Sequence, residues 1–347
     1  MRATLATLAL GAVGGGLFQW LGAPLPWVLG SLTATALLGR ALPRLALAAP
    51  VRSVGVLVIG TLLGANSAGL GMQDLIGWLP TLLAASALAL AYGLLGYCAG
   101  RRWLRMDRVT AILSSVPAGL PLVTPMMDGT RARPERVGLV NTIRLITVLA
   151  TAATVAGLLG STGGALPGAS GNLSDPLGWL GAAAIVLTGF LLAPRLPLPS
   201  PLLIAPMILA GLAVGSGVMP VALPPVAVMA AQVVIGSGVG LHFRSYRIKE
   251  MPGDVGVAAI TGVVCIALAY ATVLGFDDLG LAGTLSLFLA FVPAGAPEMA
   301  LLAMTLGANP GMVVAHHVLR VALLAAAVPL IVARFGGRED AASEGRR

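Results

Sequence analysis

The chain has 347 residues, of which 57% are hydrophobic and only 10% charged, against roughly 25% charged in an ordinary soluble domain, and its mean hydropathy is +0.95. That balance excludes water as the main solvent. The formal net charge of +8 does not point to nucleic acid, because the basic residues are scattered in short loops and form no contiguous face.

Apolar stretches follow one another almost without pause from Leu5 to Phe335, and twelve segments can be counted. About 20 apolar residues are needed to cross roughly 30 Å of hydrocarbon as a helix. A transmembrane β-barrel is excluded, since its strands alternate polar and apolar residues. The first segment, roughly residues 3 to 22, follows Arg2 and has the outline of a signal peptide. It runs straight into another hydrophobic segment, so it reads as the first helix of the mature protein. The next five lie near residues 25 to 39, 52 to 70, 77 to 99, 109 to 127 and 136 to 158. Cys98 and Cys265 fall in apolar segments and are too few for a disulfide framework or a metal cluster. They read as small core residues.

The second half repeats the first at an offset of 176 residues. Ile59-Gly60-Thr61-Leu62-Leu63-Gly64 matches Ile235-Gly236-Ser237-Gly238-Val239-Gly240, and Val116-Pro117-Ala118-Gly119-Leu120-Pro121 matches Val292-Pro293-Ala294-Gly295-Ala296-Pro297. Ala132, Pro134, Val137 and Arg144 then fall on Ala308, Pro310, Val313 and Arg320. Pro and Arg in fixed register are beyond what Gly/Ala-rich sequence imitates. The organisation expected is a first membrane repeat over 1 to 160, an extracytoplasmic linker over 161 to 176, a second membrane repeat over 177 to 335, and a disordered cytoplasmic tail over 336 to 347.

Lys and Arg in short loops stay cytoplasmic, and the two halves carry opposite patterns. In the first, the loops after segments two and four are basic (Arg40, Arg44, Arg52; Arg101, Arg102, Arg105, Arg108). In the second, the basic loop follows its third segment (Arg244, Arg247, Lys249), and Asp277 and Asp278 follow its fourth. Inverted repeats account for this, provided one segment per half does not cross. The fifth is that segment: Pro117, Gly119 and Pro121 interrupt it, and each proline removes a donor and disfavours helix in the residue before it. The fold class expected is an all-α polytopic membrane protein of two inverted-topology repeats, with about ten transmembrane helices and two re-entrant broken-helix hairpins. Every Lys and Arg except Arg144 and Arg320 then falls on one side, with both termini in the cytoplasm.

Broken helices at membrane depth aim half-helix ends at a ligand, so Pro117, Ala118, Gly119, Pro293, Ala294 and Gly295 are substrate-binding candidates. Arg144 and Arg320 join them, each with a polar residue three positions earlier on the same helix face, Asn141 and His317. A guanidinium grips a carboxylate or phosphate by two parallel bonds. A salt bridge from Arg320 to Glu298 is the alternative. Glu298, directly after the second break, is an intramembrane acid and a coupling candidate by default; the matching position is Leu122. If Glu298 neutralises one arginine, Arg144 is the better ligand-binding choice. The paired glycines Gly60/Gly64 and Gly236/Gly240 point to close helix packing, with Asn66 and His242 capping the same helices. His316 and His242 read as hydrogen-bonded packing residues.

At Pro293-Ala294-Gly295-Ala296-Pro297-Glu298-Met299 through Arg320 the chain resembles the AbrB family of bacterial integral membrane proteins. That family carries a duplicated membrane unit with a Pro-Gly/Ala-Gly-x-x-Glu-Met motif followed by an Arg-bearing helix, and it is distinct from the soluble DNA-binding regulator that shares the name. The first copy departs from the pattern at Leu122 and Val123. Members are often labelled ammonia monooxygenases, and one lineage is described as a regulator of another gene. Oxygen activation needs iron or copper on imidazole and carboxylate ligands. This chain has three His, so no enzyme activity, metal or redox cofactor is expected.

The function expected is a secondary transporter in the bacterial cytoplasmic membrane, moving a small organic anion by alternating access. The alternative is a membrane regulatory or signalling protein without transport. The partners expected are a small-molecule substrate and the lipid bilayer, with a homodimer left open and no nucleic acid.

Overall fold

The computed structural model describes all residues except 1, 24, 40, 43, 68 to 70, 118 and 119, 128 and 129, 159 to 175, 199, 243 to 250, 278 to 282 and 337 to 347. Among the described residues there are fifteen α-helices, one 3-10 turn and no strand. The first half holds α1 (Arg2–Trp20), α2 (Pro26–Leu38), α3 (Ala49–Asn66), α4 (Met72–Gly77), α5 (Leu79–Arg102), α6 (Arg108–Ser115), α7 (Leu120–Met127) and α8 (Pro134–Leu158). The second holds α9 (Pro176–Leu192), α10 (Pro201–Gly215), α11 (Pro225–His242), α12 (Pro252–Asp277), α13 (Thr284–Phe291), α14 (Ala296–Thr305) and α15 (Pro310–Gly336).

Many of the abundant prolines start helices. Pro26, Pro134, Pro176, Pro201, Pro225, Pro252 and Pro310 each occupy the first helical position, where the missing N–H costs nothing and the fixed φ suits the helix. Among the described residues, eight helices are long and apolar enough to cross a membrane, which makes this a multi-pass helical membrane protein. α2 and α10 are apolar but have 13 and 15 residues. At 1.5 Å per residue they reach only about 20 to 22 Å, less than the eight longer helices.

Two boundaries shift slightly from the sequence reading. Pro176, assigned to the linker, opens α9, and Gly336, assigned to the tail, closes α15. The remainder of both stretches, 161 to 175 and 337 to 347, lies outside the described residues, as do Arg40, Asp278 and the basic loop with Arg244, Arg247 and Lys249.

Two compact units interleave the halves of the sequence. The first comprises α1 to α4, the end of α8 from Ala153, α9 to α11, α14 and α15 through Ala315; the second comprises α5 to α7, α8 through Ala152, α12, α13 and α15 from His316. In the first unit the paired glycines do what their spacing indicates. A Cβ on Gly60 or Gly64 of α3 would stand 2.4 and 2.1 Å from the Leu203 and Met207 carbonyl oxygens of α10. One on Gly236 or Gly240 of α11 would stand 2.2 and 2.4 Å from the Val28 and Leu32 carbonyl oxygens of α2. Where lipid competes equally for apolar surface, such backbone approach is how helices gain packing energy. Asn66, the last residue of α3, donates to Leu62 O at 2.8 Å, as expected of a terminal cap.

In the second unit a cluster of Leu113, Val116, Val123, Val137, Leu324 and Val328 is buried. It joins α6, α7, α8 and α15 around the first helix break. Asp107 starts α6 by accepting from the Thr110 N–H at 2.8 Å, a side-chain cap of the usual kind.

Gly64→Ala and Gly236→Ala should each destabilise the fold by about 1 to 3 kcal/mol, because backbone cannot yield to the added methyl. Gly256→Ala in α12, with nothing within 4 Å, should be neutral or gain up to about 1 kcal/mol of helix propensity. Thermal unfolding in detergent reads all three, and equal midpoints for Gly64→Ala and Gly256→Ala would rule out the close-approach account.

Candidate functional site

A helix that ends inside the apolar layer leaves its last four carbonyls without intrahelical donors. α6 ends at Ser115 and α13 at Phe291, so eight such groups need partners. Within the second unit, α8 and α15 supply partners for Leu113, Ser114, Ser115 and Leu289.

In the first break, Arg144 Nη1 donates to Ser114 O and Ser115 O at 3.0 and 3.2 Å, and Nη2 donates to Val116 O. Asn141 Nδ2 donates to Leu113 O at 3.2 Å and to Val137 O at 2.9 Å, while its Oδ1 accepts from Arg144 Nη2 at 2.7 Å. Four consecutive carbonyls, from 113 to 116, are thus held by two side chains one turn apart. Ser115 Oγ donates to Ile112 O at 2.7 Å and extends the series by one.

The second break uses the same plan with one substitution. Arg320 Nη1 donates to Val292 O at 2.9 Å, and Nη2 donates to Ala294 O. His317 Nε2 lies 3.0 Å from Leu289 O and its Nδ1 lies 3.0 Å from Arg320 Nη2. Because the guanidinium can only donate, Nδ1 accepts and Nε2 carries the hydrogen, which is the neutral imidazole. Leu113 and Leu289, Val116 and Val292, Asn141 and His317 and the two arginines are each 176 apart. An amide in one break and an imidazole in the other bridge an arginine to a carbonyl. Tyr92 adds a further donor, its hydroxyl reaching Phe291 O at 3.3 Å.

Both guanidiniums are buried, Arg144 at 6% and Arg320 at 3% exposure, and their hydrogen-bond partners given above include no carboxylate. Cys265 of α12 lies within electrostatic reach of both, and the two arginines within reach of each other. A helix C-terminus carries about half a negative charge, so two such ends leave roughly one positive charge uncompensated. Donor counts also rank the arginines in the opposite order to the sequence argument. All four Nη hydrogens of Arg144 have acceptors, whereas Arg320 Nε is buried with no partner among the described residues.

Of the other candidates, Pro117, Pro293 and Ala294 are buried and Gly295 is half-buried. Ala118 and Gly119 lie outside the described residues. Glu298 sits in the first turn of α14 in the first unit, 7% exposed, and its Oε2 has no hydrogen-bond partner among the described residues. The cation acting on it inside that unit is Arg52 of α3, against which α14 packs. Spacing along the chain does not point to Arg52, which stands 246 positions from Glu298. His316 is a packing residue, with Nε2 2.9 Å from Thr81 Oγ1 and its ring edge-on to Phe291. Cys98 is exposed and free, which corrects its reading as a core residue; Cys265 is buried and free. Tyr92 and Cys265 were missed as neighbours of the breaks; α5 carries two tyrosines, Tyr92 and Tyr97, and spacing alone does not say which of them reaches a break.

Helices long and apolar enough to span a membrane, with two buried arginines on the carbonyls at the C-terminal ends of α6 and α13, define a multi-pass helical membrane protein. The chain belongs to the membrane-type AbrB family, whose model, described as transition state regulatory protein AbrB, matches residues 27–336. No curated protein matches the chain.

If the bridge between arginine and carbonyl is the role of position 317, then His317→Asn should keep stability within about 1 kcal/mol, since Asn141 performs that task in the other break. His317→Leu strands Leu289 O and an arginine N–H, and should cost about 1 to 3 kcal/mol. Thermal unfolding of the two variants separates them; equal losses would show that the imidazole is needed for something else.

Proposed function

We propose that the protein is a secondary transporter that moves a small organic anion, a carboxylate, by alternating access. The observation that carries the reading is the pair of arginine-terminated breaks. Irregular backbone at membrane depth is tolerated only when buried in protein or lining a cavity, and transporters place substrate sites at such discontinuities. Two buried guanidiniums without a carboxylate among their hydrogen-bond partners make the surroundings electropositive. Arg320 Nε is the donor left for a ligand oxygen, and losing one charge-assisted bond costs about 1.5 to 3 kcal/mol. Glu298, an acid in an apolar segment with an unpartnered oxygen, is assigned the coupling cation or proton.

The topology that goes with this reading is two inverted repeats, with ten crossings when α2 and α10 are counted, and with α6–α7 and α13–α14 as re-entrant hairpins. Recurrence of helix bounds supports it: α3 and α11, and α6 and α13, begin and end 176 residues apart. Both termini and the loops around residues 101 to 108, 131 to 136 and 244 to 249 are placed in the cytoplasm of a bacterial cell. Single-cysteine labelling in intact cells should leave all three loops unreactive to an impermeant reagent. External labelling near residue 133 would make the fifth segment a crossing and end the inverted-repeat reading.

The functional test is flux in proteoliposomes. Organic anions should accumulate in a pH- or cation-dependent way, and Arg320→Lys should weaken their binding about tenfold or more. Glu298→Gln should abolish coupled uptake while leaving the thermal midpoint in place. Equal uptake of neutral solutes, or unchanged coupling in Glu298→Gln, would overturn the assignment. The second reading, a membrane regulator without transport, rests on the regulatory wording of the family description. It is supported instead if anions bind and none is moved.

A further inference from the structure

The second unit carries a cleft of about 380 Å³ lined by Trp103, Leu104, Arg133, Arg136, Met251 and Asp254, among others. It lies away from both breaks, where the C-terminal end of α5 meets the N-terminal ends of α8 and α12, and all three helices are candidate membrane spans. An opening at the ends of spans lies at the depth of lipid headgroups rather than of acyl chains.

Its charges are sorted by geometry. Arg136 grips Asp254 with two bonds, Nε to Oδ2 at 3.0 Å and Nη2 to Oδ1, and also donates to Leu104 O at 3.2 Å. Asp254 is 4% exposed, so the acid is neutralised where it stands. Arg133 is exposed, and its guanidinium has no hydrogen-bond or ion-pair partner among the described residues. Its backbone is held in place, the N–H donating to Thr110 Oγ1 at 2.9 Å. Once Arg136 and Asp254 cancel, one uncommitted cation faces the cleft. Trp103 stands beside it at 59% exposure, and an amphipathic indole is favoured at the membrane interface.

We infer that this cleft binds the headgroup of an anionic phospholipid, with Arg133 on the phosphate and Trp103 against the glycerol and upper acyl region. A cation, an exposed indole and the partly apolar Leu104 and Met251 at the ends of membrane spans suit a molecule that is itself half polar and half hydrocarbon. A free phosphate would use the cation alone. The flanking stretches keep the same sign, with Arg101, Arg102, Arg105, Arg108, Arg131 and Lys249 against Asp107, Glu135 and Glu250.

The test is lipid binding to the purified full-length chain in detergent, read by native mass spectrometry. Dioleoylphosphatidylglycerol should bind in preference to dioleoylphosphatidylcholine, and Arg133→Gln should weaken it about fivefold, the worth of one interfacial cation. Arg133→Lys should retain most of the binding, and Trp103→Ala should weaken it with the charge intact. These two variants keep the test decisive even if Arg133→Gln folds poorly. Equal binding of the two lipids would overturn the inference, as would unchanged affinity in both Arg133→Gln and Trp103→Ala. Inorganic phosphate displacing phosphatidylglycerol at equal concentration would overturn it in favour of a soluble anion.

Discussion

Ending a helix inside hydrocarbon exposes carbonyls that water cannot reach, and each unsatisfied group there costs several kcal/mol. The breaks at Val116 and Val292 exist because a buried guanidinium meets those carbonyls. Arginine suits this task better than lysine, having a planar fork of five donors that stays charged. One side chain can close two or three carbonyls that diverge by a turn of helix. Its charge faces the negative end of the helix dipole, so the interaction that satisfies the backbone also offsets part of the cost of burying the cation.

From that constraint the rest of the second unit follows. α8 and α15 must run beside the broken helices to deliver Arg144 and Arg320, and the residue one turn earlier must both accept from the arginine and donate to a carbonyl. Asn and neutral His are among the few side chains that do both, which accounts for Asn141 and His317 in matching places. The apolar cluster of Leu113, Val123, Val137 and Leu324 then fills the space around the first break. Arg136 and Asp254 tie the ends of α8 and α12 together, and the bond that Arg136 donates to Leu104 O draws in the turn after α5.

The first unit is organised by a different constraint, the lack of a hydrophobic drive between helices surrounded by lipid. Gly60 and Gly64 admit the backbone of α10, and Gly236 and Gly240 admit that of α2. Each glycine pair packs on a helix from the other half of the sequence, so the halves interlock within one unit. Glu298 and Arg52 are the charges this close packing brings into mutual reach.

The sequence by itself determined the solvent, the helical class, the two breaks and the arginines beside them. Hydropathy, proline spacing and repeated register are local properties written along the chain. It also ranked Asn141 and His317 as partners of the arginines, because residues three apart on a helix share a face. Only the tertiary structure decided what the arginines hold. Whether a guanidinium faces a ligand or a carbonyl 28 residues away depends on how helices pack, and no spacing along the chain encodes that. The same holds for Arg52, within electrostatic reach of Glu298 across 246 positions of sequence, and for the Tyr92 hydroxyl that donates to Phe291 O across 199. It holds too for the order of the arginines, which turns on a count of satisfied hydrogens that exists only once the neighbouring carbonyls are in place.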